Sequence, residues 1–148
     1  MTKGIEKNTT EIIKETPIQQ LNFPNDRGVK LYCKRDDLLP FSLGGNKVRI
    51  GWQFYQDMLA KGKDCMVVYG NSRSNLCRVL ANLCRANGVP VYMIASREEH
   101  EEEHAETSNS RIMEWLGAKV IPCEKSNIAA TVESTMQNLE SQGLKPYY

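Results

Sequence analysis

The sequence lacks any apolar run long enough to cross a bilayer. Stretches such as Met66-Val67-Val68-Tyr69 fall far short of the ~20 residues a spanning helix needs. It also lacks an excess of either charge. Lys and Arg total 19, Asp and Glu total 18, and the net charge is +1, which argues against the clustered basic field of a nucleic-acid-binding face. There is no C-x-x-C pair, and the five cysteines (Cys33, Cys65, Cys77, Cys84, Cys123) are an odd number. That usage predicts reduced, mostly buried thiols in a cytoplasmic protein rather than a disulfide framework. Neither a low-complexity tract nor an internal repeat is found. Residues 1–14 are polar and mixed in charge, unlike a secretory signal. What is present is ordinary for a globular chain: 148 residues, 41% hydrophobic and 25% charged. A compact chain of this size buries roughly two thirds of its unfolded surface.

Residues 1–44 differ from the rest. Thr16-Pro17, Phe23-Pro24-Asn25-Asp26-Arg27-Gly28 and Leu39-Pro40 are turn and extended signals. Between them, Val29 to Lys34 alternates apolar and polar residues and predicts a half-buried strand. With little core of its own, this segment reads as an N-terminal arm that packs on something else.

From residue 45 onward a compact α/β unit is expected, to residue 148. Asn46 is expected to cap a helix from Lys47 to about Lys61, with Val48, Trp52, Tyr55 and Leu59 on its apolar face. A strand over Cys65–Tyr69 follows, then a helix over 74–87 with Leu76, Val79, Leu80 and Leu83 inward. Next come a strand over Val89–Ala95, a helix over 104–116, and a strand over Lys119–Pro122. A helix from Ser126 to about Ser141 carries the stripe Ile128, Val132, Met136 and Leu139, and Pro146-Tyr147-Tyr148 opens a fourth strand. This alternation predicts a three-layer parallel sheet of three to four strands with helices on both faces. Ligands of such sheets sit beyond the carboxyl ends of the strands.

Two segments can carry chemistry. In Ser42-Leu43-Gly44-Gly45-Asn46-Lys47-Val48-Arg49, paired glycines permit close approach and place a lysine in the first turn of a helix. The positive field there favours the neutral amine that a lysine nucleophile needs; the bland alternative is a surface lysine after a flexible loop. In Gly70-Asn71-Ser72-Arg73-Ser74-Asn75, a strand end leads into a helix through small polar residues. That arrangement offers an anion cradle of backbone amides with added hydroxyls and side-chain amides; the bland alternative is a turn capped by Ser72 or Ser74.

Other signals are weaker. His100-Glu101-Glu102-Glu103-His104 matches the H-E-x-x-H zinc pattern in letters. Residues 97–104 hold no residue that could bury a metal and the chain has no third histidine, so a solvated acidic helix start is expected and no metal site. Cys77 and Cys84, seven apart on one helix, are expected to pack in the core. Neither the G-x-G-x-x-G nor the G-x-x-x-x-G-K-[ST] nucleotide loop occurs.

Taken together, Lys34-Arg35-Asp36-Asp37-Leu38-Leu39-Pro40, then Gly44-Gly45-Asn46-Lys47-Val48-Arg49, then Gly70 and Ser74-Asn75 with Arg78, resemble the fold-type II pyridoxal phosphate enzymes. The chain is most similar to the 1-aminocyclopropane-1-carboxylate deaminase and D-cysteine desulfhydrase group. Trp115-Leu116-Gly117-Ala118-Lys119-Val120 adds to the likeness, which runs from about Thr16 to Tyr148. The resemblance implies that Lys47 carries pyridoxal 5'-phosphate on its amine and later shuttles protons. It implies that Asn75 binds the cofactor's ring hydroxyl, and that Ser74 serves as a substrate carboxylate contact or acid–base partner. The amides opening that helix, at Ser74 and Asn75, would receive the substrate carboxylate. The reaction implied is elimination of ammonia, or of ammonia and sulfide, from a small amino acid, by a homodimer.

The loop departs from the family pattern Gly-Gly-x-Gln-Ser-Asn-His at Asn71, Arg73 and Leu76, and Ile50 stands where a lysine often follows the motif arginine. Family members also run to about twice this length across two domains. The resemblance therefore implies that the chain is the N-terminal part of such an enzyme. Residues 1–44 would be an arm of an incomplete large domain, 45–148 the small domain, and the chain inactive alone. The alternative is a non-catalytic α/β module that self-associates after losing its active half.

Overall fold

The structure, a computed structural model, describes residues 13–96 and 106–148. A hairpin comes first: β1 (Ile18–Leu21) pairs antiparallel with β2 (Leu31–Lys34), in the register Ile18 to Lys34 and Leu21 to Leu31. A 3-10 turn at Asp36–Leu38 leads to α1 (Asn46–Ala60). Then β3 (Cys65–Gly70), α2 (Asn75–Ala86), β4 (Val91–Ser96), α3 (Ser108–Trp115), β5 (Lys119–Cys123), α4 (Ile128–Ser141) and β6 (Pro146–Tyr147) follow.

The second sheet is parallel throughout, in the order β5-β4-β3-β6. The chain steps outward from β3 to β4 to β5, then returns across the sheet to place β6 on the other side of β3. The pleat divides the strands accordingly. Met66, Val68, Val91, Met93 and Ala95 join a core with Trp52, Tyr55 and Met58 of α1, Leu80 and Leu83 of α2, and Met113 of α3. Cys65, Val67, Tyr92 and Ile94 turn to the opposite face, against Leu139, Val132 and Met136 of α4. The expected three-layer α/β architecture is present, with four strands and helices on both faces. Burying side chains such as Ile94, at 0% exposure, removes apolar area worth ~1.5–3 kcal/mol each.

The topology sets the direction of α1. Its C-terminal end lies by the start of β3, where Tyr147 of β6 donates a 2.6 Å hydrogen bond from Oη to Asp57 Oδ2 and Lys61 sits over the Tyr147 ring. The first turn of α1 is therefore at the edge where the parallel strands end. The helix α2, leaving β3, begins at that same edge. The two helices run side by side: Val48 packs with Val79, and a Cβ placed on Gly51 would lie 3.0 Å from Val79 Cγ1.

Several sequence expectations are corrected. Asn46 is not the cap of α1. It is the first helical residue, behind Gly45, and no side chain caps that end. The apolar face of α1 ends on Met58 at 0% exposure, and Leu59 is 46% exposed, because one further residue rotates a helical position by about 100°. The strand expected over Val29–Lys34 is shorter, Leu31–Lys34, and only Cys33 on it is half-buried. The helix expected from 104 starts at Ser108 behind a Thr107–Ser110 capping box, and the one expected from Ser126 starts at Ile128 after a 3-10 turn. Cys77 and Cys84 are both buried in the core, as expected. The His100–His104 pattern lies outside the described residues, and among the described residues no group of three His, Cys, Asp or Glu side chains could hold a metal. No helix among them is long and apolar enough to cross a membrane.

Candidate cofactor site

Lys47 is half-buried in the first turn of α1. The turn before it is unusual: Phe41, Ser42, Leu43, Gly44 and Gly45 all have positive φ, at 73°, 47°, 68°, 69° and 93°. Non-glycine residues resist that region by roughly 1–2 kcal/mol each, so contacts elsewhere must hold the turn in place. Asp36 and Asp37 supply them. The Gly45 amide donates to the Asp36 carbonyl at 2.7 Å, and a Cβ on Gly44 would lie 2.3 Å from the Asp37 carbonyl oxygen. Only glycine fits there.

The Asp36 carboxylate grips the far side of the turn. It accepts from Arg49 Nε at 3.1 Å and Nη2 at 2.9 Å, and from Thr16 Oγ1 at 2.6 Å. The Arg49 guanidinium foremost, and the Thr16 hydroxyl next, hold its carboxyl at about 2. Lys34 Nζ donates to the Thr16 carbonyl, so the end of β2 is tied to the same node. Leu39, packed on Val48 and Val79, closes it from the apolar side. No described residue forms an ion pair or hydrogen bond with the Lys47 amine.

The second element is the start of α2. Ser74 is its N-cap, with Oγ accepting from the Cys77 amide at 3.2 Å. The Ser74 hydroxyl therefore keeps its proton to donate. Of the first three amides of the helix, that of Cys77 is capped. Those of Asn75 and Leu76 have no partner among the described residues and carry the positive end of the helix dipole. Gly70 permits this packing: a Cβ there would meet Cys77 Sγ at 2.7 Å and Ser74 Cβ at 2.9 Å. The Cys77 thiol, raised by burial, donates to the Tyr69 carbonyl and is a packing group.

The helix α3 braces the loop. Thr107 Oγ1 donates to the Ser72 carbonyl, and Asn109 Nδ2 donates to the Arg73 carbonyl at 2.8 Å and to Asn75 Oδ1 at 3.0 Å. Lys47, Ser74 and Asn75 are thus all carried on helix starts at one edge of the sheet. Sequence reasoning singled out those three and missed Thr16, Asp36 and Asn109 as their supports. Asp36 stood inside a stretch that carried the resemblance, and no periodicity marked Thr16, Asp36 or Asn109.

The residues suit a pyridoxal-type ligand on their own chemistry. They present an amine with no partner among the described residues for an aldehyde, a side-chain amide for a ring oxygen, and two helix amides without a described partner for a carboxylate. Comparison with known proteins agrees. The pyridoxal-phosphate dependent enzyme family matches residues 9–148. D-cysteine desulfhydrase of Serratia proteamaculans (strain 568) is 32% identical over 136 residues, covering 89% of this chain and 41% of that protein. D-cysteine desulfhydrase of Yersinia pestis (strain Pestoides F) is 29% identical with the same coverage. A crystal structure of an ACC deaminase homologue superposes with a TM-score of 0.77 at 29% identity, covering 92% of this chain and 42% of that one. A hydrogen sulfide-producing enzyme from Fusobacterium nucleatum, at 17% identity and a TM-score of 0.66, shares the fold. The chain spans about two fifths of the length of the curated relatives it matches.

Proposed function

The chain belongs to the pyridoxal-phosphate dependent enzymes, and from that premise we propose that it supplies the lysine-bearing part of a lyase or deaminase active site. The substrate is a small amino acid of the D-cysteine or 1-aminocyclopropane-1-carboxylate type. The bound cofactor supplies the electron sink for carbanion chemistry. The chain's own residues do the rest. Lys47 would hold the cofactor through Nζ and would take and return a proton at the substrate carbon. Asn75 would donate to the ring oxygen. Ser74 Oγ–H and the Asn75 and Leu76 amides receive the substrate carboxylate. The net reaction consumes water, releases ammonia (with sulfide from a thiol substrate), and leaves an oxo acid.

The observation that carries this reading is the Lys47 amine, without a partner among the described residues, at the same sheet edge as the Ser74-capped start of α2, whose Asn75 and Leu76 amides have no partner among those residues. Incubation with pyridoxal phosphate, borohydride reduction and digestion tests it. One label per chain is expected at Lys47, absent from Lys47→Ala. Label spread over surface lysines would overturn it.

The exposed apolar residues Ile18 (68%), Phe23 (63%) and Tyr32 (58%) favour a second feature, homodimerisation through an arm of residues 1–44 on a small domain of 45–148. They equally support the other reading, a non-catalytic module that self-associates. Sedimentation distinguishes dimer from monomer, and the labelling experiment separates the two functions. The five free thiols suit a reducing compartment, and we place the protein in the cytoplasm.

A further inference from the structure

We propose that Asn109, oriented by Arg78, is a positioning residue that turns the Asn75 amide so that its N–H group, not its oxygen, faces the cofactor. The inference rests on the reading of Asn75 given above. Its basis is a chain of three hydrogen bonds whose polarity can be assigned without ambiguity.

Arg78 Nη1 donates to Asn109 Oδ1 at 2.8 Å. A guanidinium has no acceptor, so the oxygen of Asn109 must face it. At the other end of the same side chain, Asn109 Nδ2 lies 2.8 Å from the Arg73 carbonyl oxygen, which has no donor. Two independent anchors thus fix the amide, in a case where oxygen and nitrogen are usually interchangeable. The remaining N–H of Asn109 goes to Asn75 Oδ1 at 3.0 Å. Asn75 must therefore present its oxygen to Asn109. Its Nδ2 is left with no partner among the described residues, on an exposed side chain at the first position of α2.

The consequence is chemical. The ring oxygen of a pyridoxal-type cofactor is a phenolate, an acceptor. A donor stabilises its charged form, and a misturned amide would set oxygen against oxygen. Helix geometry supports the arrangement. Asn75 and Arg78 lie three apart on one face of α2, and Asn109 meets both from the first turn of α3. Without α3 the Asn75 amide would be free to turn.

The test uses the full chain. In the cofactor-free protein, both side-chain amide protons of Asn109 should exchange at least about tenfold more slowly than those of an exposed asparagine. Arg78→Leu should abolish that protection and Arg78→Lys, which keeps a donor, should retain most of it. With pyridoxal phosphate added, Asn109→Asp places an acceptor against Asn75 Oδ1. It should weaken binding by about tenfold and shift the visible band of the bound cofactor, with the urea midpoint unchanged. Arg78→Lys, which keeps the donor to Asn109 Oδ1, should retain the wild-type band. Asn109 protons that exchange freely in the wild type overturn the inference, whatever the cofactor does. So do unchanged affinity and band in Asn109→Asp while the wild type loads at Lys47. A wild type that fails to load at Lys47 overturns the proposed function and this inference together.

Discussion

Strands β3 and β4 and strands β1 and β2 come from one chain, yet they are stable for different reasons. Every residue of β4 is buried, as are the first four of β3. No residue of β1 or β2 is. The central strands hold continuous apolar runs, CMVVYG and VYMIAS, as suits a parallel sheet covered on both faces. The hairpin mixes apolar and polar residues, and none of its residues is buried against the described body. An isolated two-stranded hairpin is marginal in water. This one is anchored at its end, through the Arg35 amide on the Pro17 carbonyl and the Thr16–Asp36–Arg49 node. The core stabilises the sheet, and a polar clasp retains the arm. The clasp is also what shapes the turn before Lys47, so the arm and the site depend on the same few atoms.

The contrast can be broken most forcefully in the core. Ile94→Ala, at 0% exposure, should cost about 2–5 kcal/mol in urea unfolding. Ile18→Ala, on the hairpin, should fall within about 0.5 kcal/mol of wild type. Equal costs would mean the hairpin is covered. Next in size is Gly70→Ala, whose methyl would meet Cys77 Sγ at 2.7 Å. It should cost about 1–3 kcal/mol and displace Ser74, so cofactor loading at Lys47 should fall with stability.

Asp36→Asn sharpens the contrast through pH. The folded carboxyl sits near 2, below its ordinary 3.8, held there chiefly by Arg49. Its stabilisation is therefore complete above about pH 4 and lost as pH falls through about 2. Hydrogen exchange over residues 14–49 should show the variant more open than wild type at pH 7, and the two converging near pH 2. A gap that persists at pH 2 would remove the carboxylate from the clasp. The smallest effect is expected for Arg35→Ala. Its pair with Asp37 at 2.8 Å is solvent-exposed, and such pairs contribute little, so the unfolding midpoint should not move measurably.

Most of the body was legible in the sequence because each element there obeys a local rule. The alternation of apolar strands with helical stripes fixed element type and order, and with them the parallel sheet. The placement of Lys47, Ser74 and Asn75 at helix starts was legible because glycine-rich and strand-end turns mark where helices begin. The misplacements are local too. Asn46 looks like a cap by residue type, but the left-handed run through Gly44 and Gly45 already turns the chain, so the helix begins one residue early. Met58 and Leu59 are both apolar, and only packing against the sheet chooses between them. The hairpin's partner strand at Ile18–Leu21 carries too weak a pattern to be read alone.

By itself, then, the sequence determined an α/β chain with a parallel sheet, and a lysine and a Ser-Asn pair at two helix starts, because periodicity and turn chemistry act over a few residues. Only the tertiary structure decided that those starts share one edge, that Asp36 holds the turn before Lys47, and that Arg78 and Asn109 set the face Asn75 presents. Those outcomes depend on groups brought together across 13 to 34 residues of chain, and the directionality of a hydrogen bond is invisible until donor and acceptor are placed.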